Sequence, residues 1–231
     1  MTGYYLKNCR RQSGWTQVRL AARLGVTQAY VSLMEQGKRP VPDRIARVVI
    51  RLLQLPATVL PLPASTEFDR QVTEQWIAEG LARLGYPGFA YLDKPGVKRN
   101  PVEILLKALV LDDLEPRLAE ALSWLLLEFE ELDVKTLVSE AKKRELQNRL
   151  GFTISLARLV ADHNPAYRHR SRQLQKLEEM VEPSRLARED TYGRKETSER
   201  MSVWVRENRS EEANHWNLLT DLKMDHLPYA G

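Results

Sequence analysis

Leu24-Gly25-Val26-Thr27 is the junction that most limits what this chain can become. Glycine supplies the positive φ of a tight reversal, and a threonine two residues later can cap a new helix by accepting a backbone N–H. On either side apolar residues recur at helical spacing: Leu20, Leu24, Val26, Val31 and Met34, with Ala21 small enough for two helices to cross closely. Thr16 to Arg39 therefore reads as a helix, a tight turn and a second helix. Arg19, Arg23, Gln28, Ser32 and Gln36 fall on the outward face. A polar, basic outer face on the second helix suits a major-groove reader, because base edges are read by hydrogen bonds and phosphates by charge.

The charge distribution points the same way. Through Leu55 ten Lys and Arg stand against Glu35 and Asp43, a net of +8, while the remaining 25 Lys/Arg and 29 Asp/Glu leave the rest at −4. A basic head on a mildly acidic body suits a polyanion-binding domain joined to one that binds none, or binds a basic partner. Cys9 is the only cysteine, which excludes an intrachain disulfide and a Cys-based zinc site. The longest uncharged apolar run, Leu122 to Leu127, is far shorter than the roughly 20 residues that span a bilayer. No basic start followed by an apolar signal segment is present, so a cytoplasmic protein without membrane association is expected.

Residues 6 to 55 resemble the XRE, or Cro/C1-type, helix-turn-helix family, on Thr16-Gln17, Ala21, Leu24-Gly25-Val26, Thr27 to Ser32, Glu35 and the Gly37-Lys38-Arg39 exit. The resemblance implies a lambda-repressor-like domain of four or five helices that binds operator DNA. It places a DNA-binding set at Thr16, Gln17, Thr27, Gln28, Ala29, Tyr30, Ser32, Lys38 and Arg39. Gln17 would bond a phosphate and brace Gln28. Gln28, Ala29 and Ser32 fall at base-contacting positions, where a glutamine can pair with adenine and an alanine can touch a thymine methyl. Tyr30 would contact the sugar-phosphate or pack on the adjacent helix, and Lys38 and Arg39 would anchor the backbone, with Arg44 and Arg47 as further candidates. The family's glutamate at the Glu35 position faces into the domain, so Glu35 is expected to pair with Arg10 or Arg11.

Along the chain, Leu6 to Gly14 reads as the first helix, with Trp15 as an apolar plug, and Asp43 opens a fourth helix carrying Ile45, Val48, Val49, Leu52 and Leu53. Pro56, Pro61 and Pro63 suggest a stiff, extended linker over 56–64, dividing a DNA-binding domain at 1–55 from an all-helical domain at 65–231. In the latter, helices are expected over Thr66 to Leu84, Val102 to Leu111, Glu115 to Glu130, Asp133 to about Asp162 and about 170 to 181. Loop is expected over Asp93 to Arg99. Asn100-Pro101 reads as a cap followed by a proline at the first helical position. Gly151 marks a kink or a close helix contact, and the region around Thr191-Tyr192-Gly193 reads as mobile and partly helical. His215 to Leu219 and Leu227-Pro228-Tyr229 suggest a docked tail.

Catalytic motifs are lacking. His163, His169, His215 and His226 form no His-Glu-x-x-His pair, no glycine-rich phosphate loop occurs, and nothing after Ser65 has the strand pattern of a self-cleaving Ser-Lys domain. No catalytic residue, cofactor or metal is expected. Two readings of the C-terminal domain follow. It dimerises a transcriptional repressor, so that two recognition helices read half-sites about 34 Å apart. Alternatively it grips a cognate toxin, making the chain an antitoxin that represses its own operon. Leu146 to Ala157 resembles the Arg-Leu-Gly-Phe/Tyr segment of AbiE-type antitoxins, and that resemblance implies the second reading.

Overall fold

The computed structural model describes residues 1–94, 96, 98–193 and 198–231, so part of the expected 93–99 loop and the residues just after Gly193 lie outside the described residues. Among the described residues it is all-α but for one two-residue strand pair, and it divides into two compact units. The first is Met1–Leu62 with a short stretch ending at Asn100.

In this first unit, α1 (Gly3–Gln12) starts three residues before Leu6 because Thr2 caps it, its hydroxyl accepting from the Tyr5 N–H at 3.2 Å. Helix α2 (Gln17–Leu24) is capped by Thr16 and closed by Gly25 at φ 67°. Helix α3 (Gln28–Glu35) is capped by Thr27, and α4 (Asp43–Leu52) follows the Pro40-Val41-Pro42 turn. Leu6, Leu20, Ala21, Val31, Met34 and Val49 form the core, with Trp15, Leu24, Val26 and Ile45 packed on it. The inner stripe of α4 is Ala46, Val49 and Ile50; Ile45, Val48 and Leu52 flank it half-buried. The expected stiff linker is partly folded. Ala57–Val59 makes a 3-10 turn, Ala57 and Leu60 are buried, and Asn100 donates its amide to the carbonyls of Thr58 (3.0 Å) and Leu60 (2.7 Å).

The second unit contains the remaining helices. Thr66 to Leu84 is not one helix but α5 (Ser65–Phe68) and α6 (Glu74–Leu84). The Thr73 hydroxyl caps α6, and Arg144 holds the short helix by donating to the Ser65 carbonyl and, at 2.7 Å, to Asp69. Helices α7 (Pro101–Val110) and α8 (Pro116–Glu128) come next. The expected helix from Asp133 to Asp162 breaks into α9 (Val134–Lys143) and α10 (Gln147–His163). Glu145 adopts φ 56°, and the Glu145 and Leu146 N–H groups turn back to the carbonyls of Lys142 and Ala141, which closes α9. Then follow α11 (Ser171–Val181), α12 (Glu199–Asn208) and α13 (Glu211–His215).

Helix α10 is buried along Gln147 to Ala157, polar residues included. Those polar groups hold the C-terminal segment. Asn148 makes a reciprocal pair with the Leu186 backbone, at 2.8 and 2.9 Å. Arg149 is bound by Asp190 and by the Leu109 and Leu111 carbonyls, and Thr153 shares a hydrogen bond with the Tyr192 hydroxyl. Strand β1 (Asp190–Thr191), in the region expected to be mobile, pairs in parallel with β2 (Leu218–Leu219). Gly151 produces close packing: the Trp216 ring lies where a Cβ would stand, only 2.4 Å away. The segment that resembles an antitoxin motif is thus internal packing surface.

Candidate nucleic-acid interface

The first turn of α3 stands out from the first unit. Gln28 and Ala29 are exposed, as are Thr16, Thr27, Lys38 and Arg39. Thr16 and Thr27 spend their hydroxyls on helix caps, accepting from Arg19 N–H (3.0 Å) and Tyr30 N–H (3.2 Å). Tyr30 is half-buried against the core, and Ser32, expected to point outward, is also half-buried, with its hydroxyl accepting from Gln36 at 2.9 Å. Lys38 and Arg39 follow the Gly37 turn, both backbone N–H groups donating to the Leu33 carbonyl, which leaves their side chains in solvent.

The Gln28 side chain is held by a hydrogen-bonded series that runs into the core. Arg10 donates to both oxygens of Glu35, at 2.5 and 2.9 Å, and to the Trp15 carbonyl at 2.6 Å. Gln17 donates to Glu35 Oε2 at 2.8 Å, and Gln28 donates to Gln17 Oε1 at 2.6 Å. Chemistry dictates the direction. An ionised carboxylate only accepts, so Gln17 must turn its NH₂ to Glu35 and its carbonyl to Gln28, which must then present its own NH₂. Gln28 is left with one N–H and its carbonyl oxygen, the donor and acceptor pair that matches N7 and N6–H₂ of adenine. Gln17 retains one amide hydrogen for a phosphate.

Glu35 is the anchor of the series. Burial pushes its carboxyl up, but the hydrogen bonds from Arg10 and Gln17 and the charges of Arg10 and Lys7 outweigh it and hold the pKa below the usual carboxylate range. The Glu35 bonds raise the Arg10 guanidinium in turn, against its own burial. Both side chains are nearly solvent-free, at 8% and 2% exposure. The choice between Arg10 and Arg11 thus falls to Arg10. The sequence reading missed that this ion pair, through Gln17, sets the amide of Gln28; the one available signal was Arg10 and Glu35 sharing the inner faces of their helices. Val18, 66% exposed beside Gln17, is a large apolar residue that reading also passed over.

Residues 3–62 match the family model described as a helix-turn-helix domain, and they form one here. No curated protein and no solved structure matches the chain. Among the described residues no helix is long and apolar enough to cross a membrane.

Proposed function

We propose that this chain is a sequence-specific DNA-binding transcriptional regulator, a cytoplasmic repressor that works as a homodimer through its N-terminal helix-turn-helix. The observation that carries the reading is the exposed Gln28 amide, its donor and acceptor oriented by the Arg10–Glu35 pair. The +8 charge of the surrounding residues supports it. Base reading falls to Gln28 and Ala29, with Ser32 and Tyr30 at the edge of the contact, and phosphate anchoring to Thr16, Gln17, Thr27, Lys38 and Arg39. Residues 1–55 are the DNA-binding domain, and the unit beyond the 56–64 linker supplies the dimer.

Operator selection from random duplexes followed by titration tests this. With about three or four phosphate contacts per subunit, log K against log salt is expected to fall with a slope of roughly −5 to −7. A slope near zero removes the proposal. Gln28→Ala is expected to cost roughly 1–3 kcal/mol per half-site on the selected operator and to relax specificity at one base pair of each half-site. Lys38→Ala weakens all sequences alike and makes the salt slope less steep. If the two variants respond identically across operator mutants, the division into reader and anchor is wrong.

A further inference from the structure

We propose that the groove bounded by α8, the start of α9 and α11 is a binding site for a small aliphatic carboxylate. The cavity encloses about 310 Å³, a volume within the range of small-molecule sites. Its apolar lining includes Leu126 of α8 and Leu174, Leu177 and Met180 of α11. Met180, at the rim, is 47% exposed.

Arg170 also lines the groove, from the 3-10 turn Arg168–Arg170 that leads into α11, and is 2% exposed. Its Nη2 donates to the carbonyls of Leu126 and Phe129, each at 2.8 Å, and its Nη1 to the Gln173 side chain. Its Nε is buried with no hydrogen-bond partner. These partners are all neutral oxygens, so the guanidinium carries a buried charge with no bonded counter-ion. Such a charge is costly, and the C-terminal end of α8 sets only a partial charge of roughly −0.5 against it. Burial accordingly pushes the Arg170 pKa below the ordinary arginine value, with Glu130 opposing.

The remaining charged lining adds to the imbalance. Lys135 and Lys176 are exposed, and the one acid among the lining residues, Glu130, lies 3.2 Å from His169. Three cations therefore face one carboxylate, in a part of the chain that is otherwise net acidic. An anion is favoured at the mouth and an apolar body against the leucines. A protein partner fits poorly, because a stable interface buries about 800 Å² on each side, far more than a groove of this size offers. The inference stands independently of the DNA-binding reading.

The test uses the full chain titrated calorimetrically with decanoate below its micellar concentration, with decanol and decylamine in parallel. Saturable decanoate binding is expected, at least about tenfold tighter than either analogue. Lys135→Glu with Lys176→Glu is expected to weaken decanoate at least about tenfold while leaving the ligand-free Tm unchanged. Met180→Trp, which fills the groove, is expected to abolish binding in a folded protein. Equal affinity for decanol, or indifference to the charge reversal, would mark a generic apolar surface and overturn the proposal. So would a lack of saturable decanoate binding, and altered self-association of Met180→Trp would then assign the groove to a second copy of the chain.

Discussion

Glu35→Ala is expected to destabilise the helix-turn-helix unit by about 3–5 kcal/mol at pH 7 and to abolish selective DNA binding by whatever remains folded. The asymmetry of the buried pair makes the prediction sharp. Removing Glu35 strands a guanidinium that cannot lose its proton at any accessible pH, whereas Arg10→Met strands a carboxyl that can neutralise itself by taking one up. In the intact protein the folded pKa of Glu35 lies below its unfolded value. The stability it contributes is therefore present above the unfolded value and lost as pH falls through the folded one. With Arg10 gone, burial is opposed only by the Gln17 hydrogen bond and the Lys7 charge, and the pKa rises. The Arg10→Met deficit then shrinks as pH falls from 7 towards about 4, while the Glu35→Ala deficit persists relative to a neutral-core control. Hydrogen exchange of α1 to α3 amides at the two pH values reads both quantities. A pH-independent loss in Arg10→Met, or a loss under about 1 kcal/mol in Glu35→Ala, would show that the pair behaves as a surface contact.

The second large effect lies in the other unit. Trp216 is fully buried, donates its indole N–H to the Ser155 hydroxyl at 2.8 Å, and lies flush against Gly151. Trp216→Ala is expected to cost about 3–5 kcal/mol from the lost burial and the cavity left behind. Gly151→Ala forces a methyl group into the ring and is expected to cost about 1–3 kcal/mol. Their combination carries more information than either alone. Once the indole is gone, the alanine methyl has room, and an alanine in mid-helix is worth about 0.5–1 kcal/mol over glycine. The double variant should therefore be more stable than Trp216→Ala by itself, a coupling that urea unfolding measures directly. Additive losses would mean that the ring moves away from α10 at no cost.

Much of this architecture was legible because helix ends announce themselves through local chemistry. Thr16, Thr27 and Asp133 cap with their own side chains, and Gly25 provides a backbone angle that costs other residues strain. The failures share a cause as well. The break between α9 and α10 depends on Glu145 adopting a positive φ in a stretch without glycine or proline, while the neighbouring Arg144 is engaged by Ser65 and Asp69 some 75 residues away in sequence. No local pattern encodes that. The same holds for β1, which takes a strand partner from residues 218 and 219. At the proposed DNA-binding face the exposed glutamine could be located from spacing alone. Its amide orientation could not, because that depends on three further side chains drawn from α1, α2 and α3.

The polar stripe of α10, completed by residues that come 23 to 61 positions later, bears on how the protein is made. While the polypeptide is leaving the ribosome, α1 to α4 have their core in hand and can settle at once. The 147–157 segment emerges with Asn148, Arg149, Thr153 and Ser155 still lacking their later partners, and it stays hydrated and loosely held until Trp216 arrives. The larger unit thus closes from its far end, and a nascent chain stalled before that tryptophan is a natural target for chaperones or degradation.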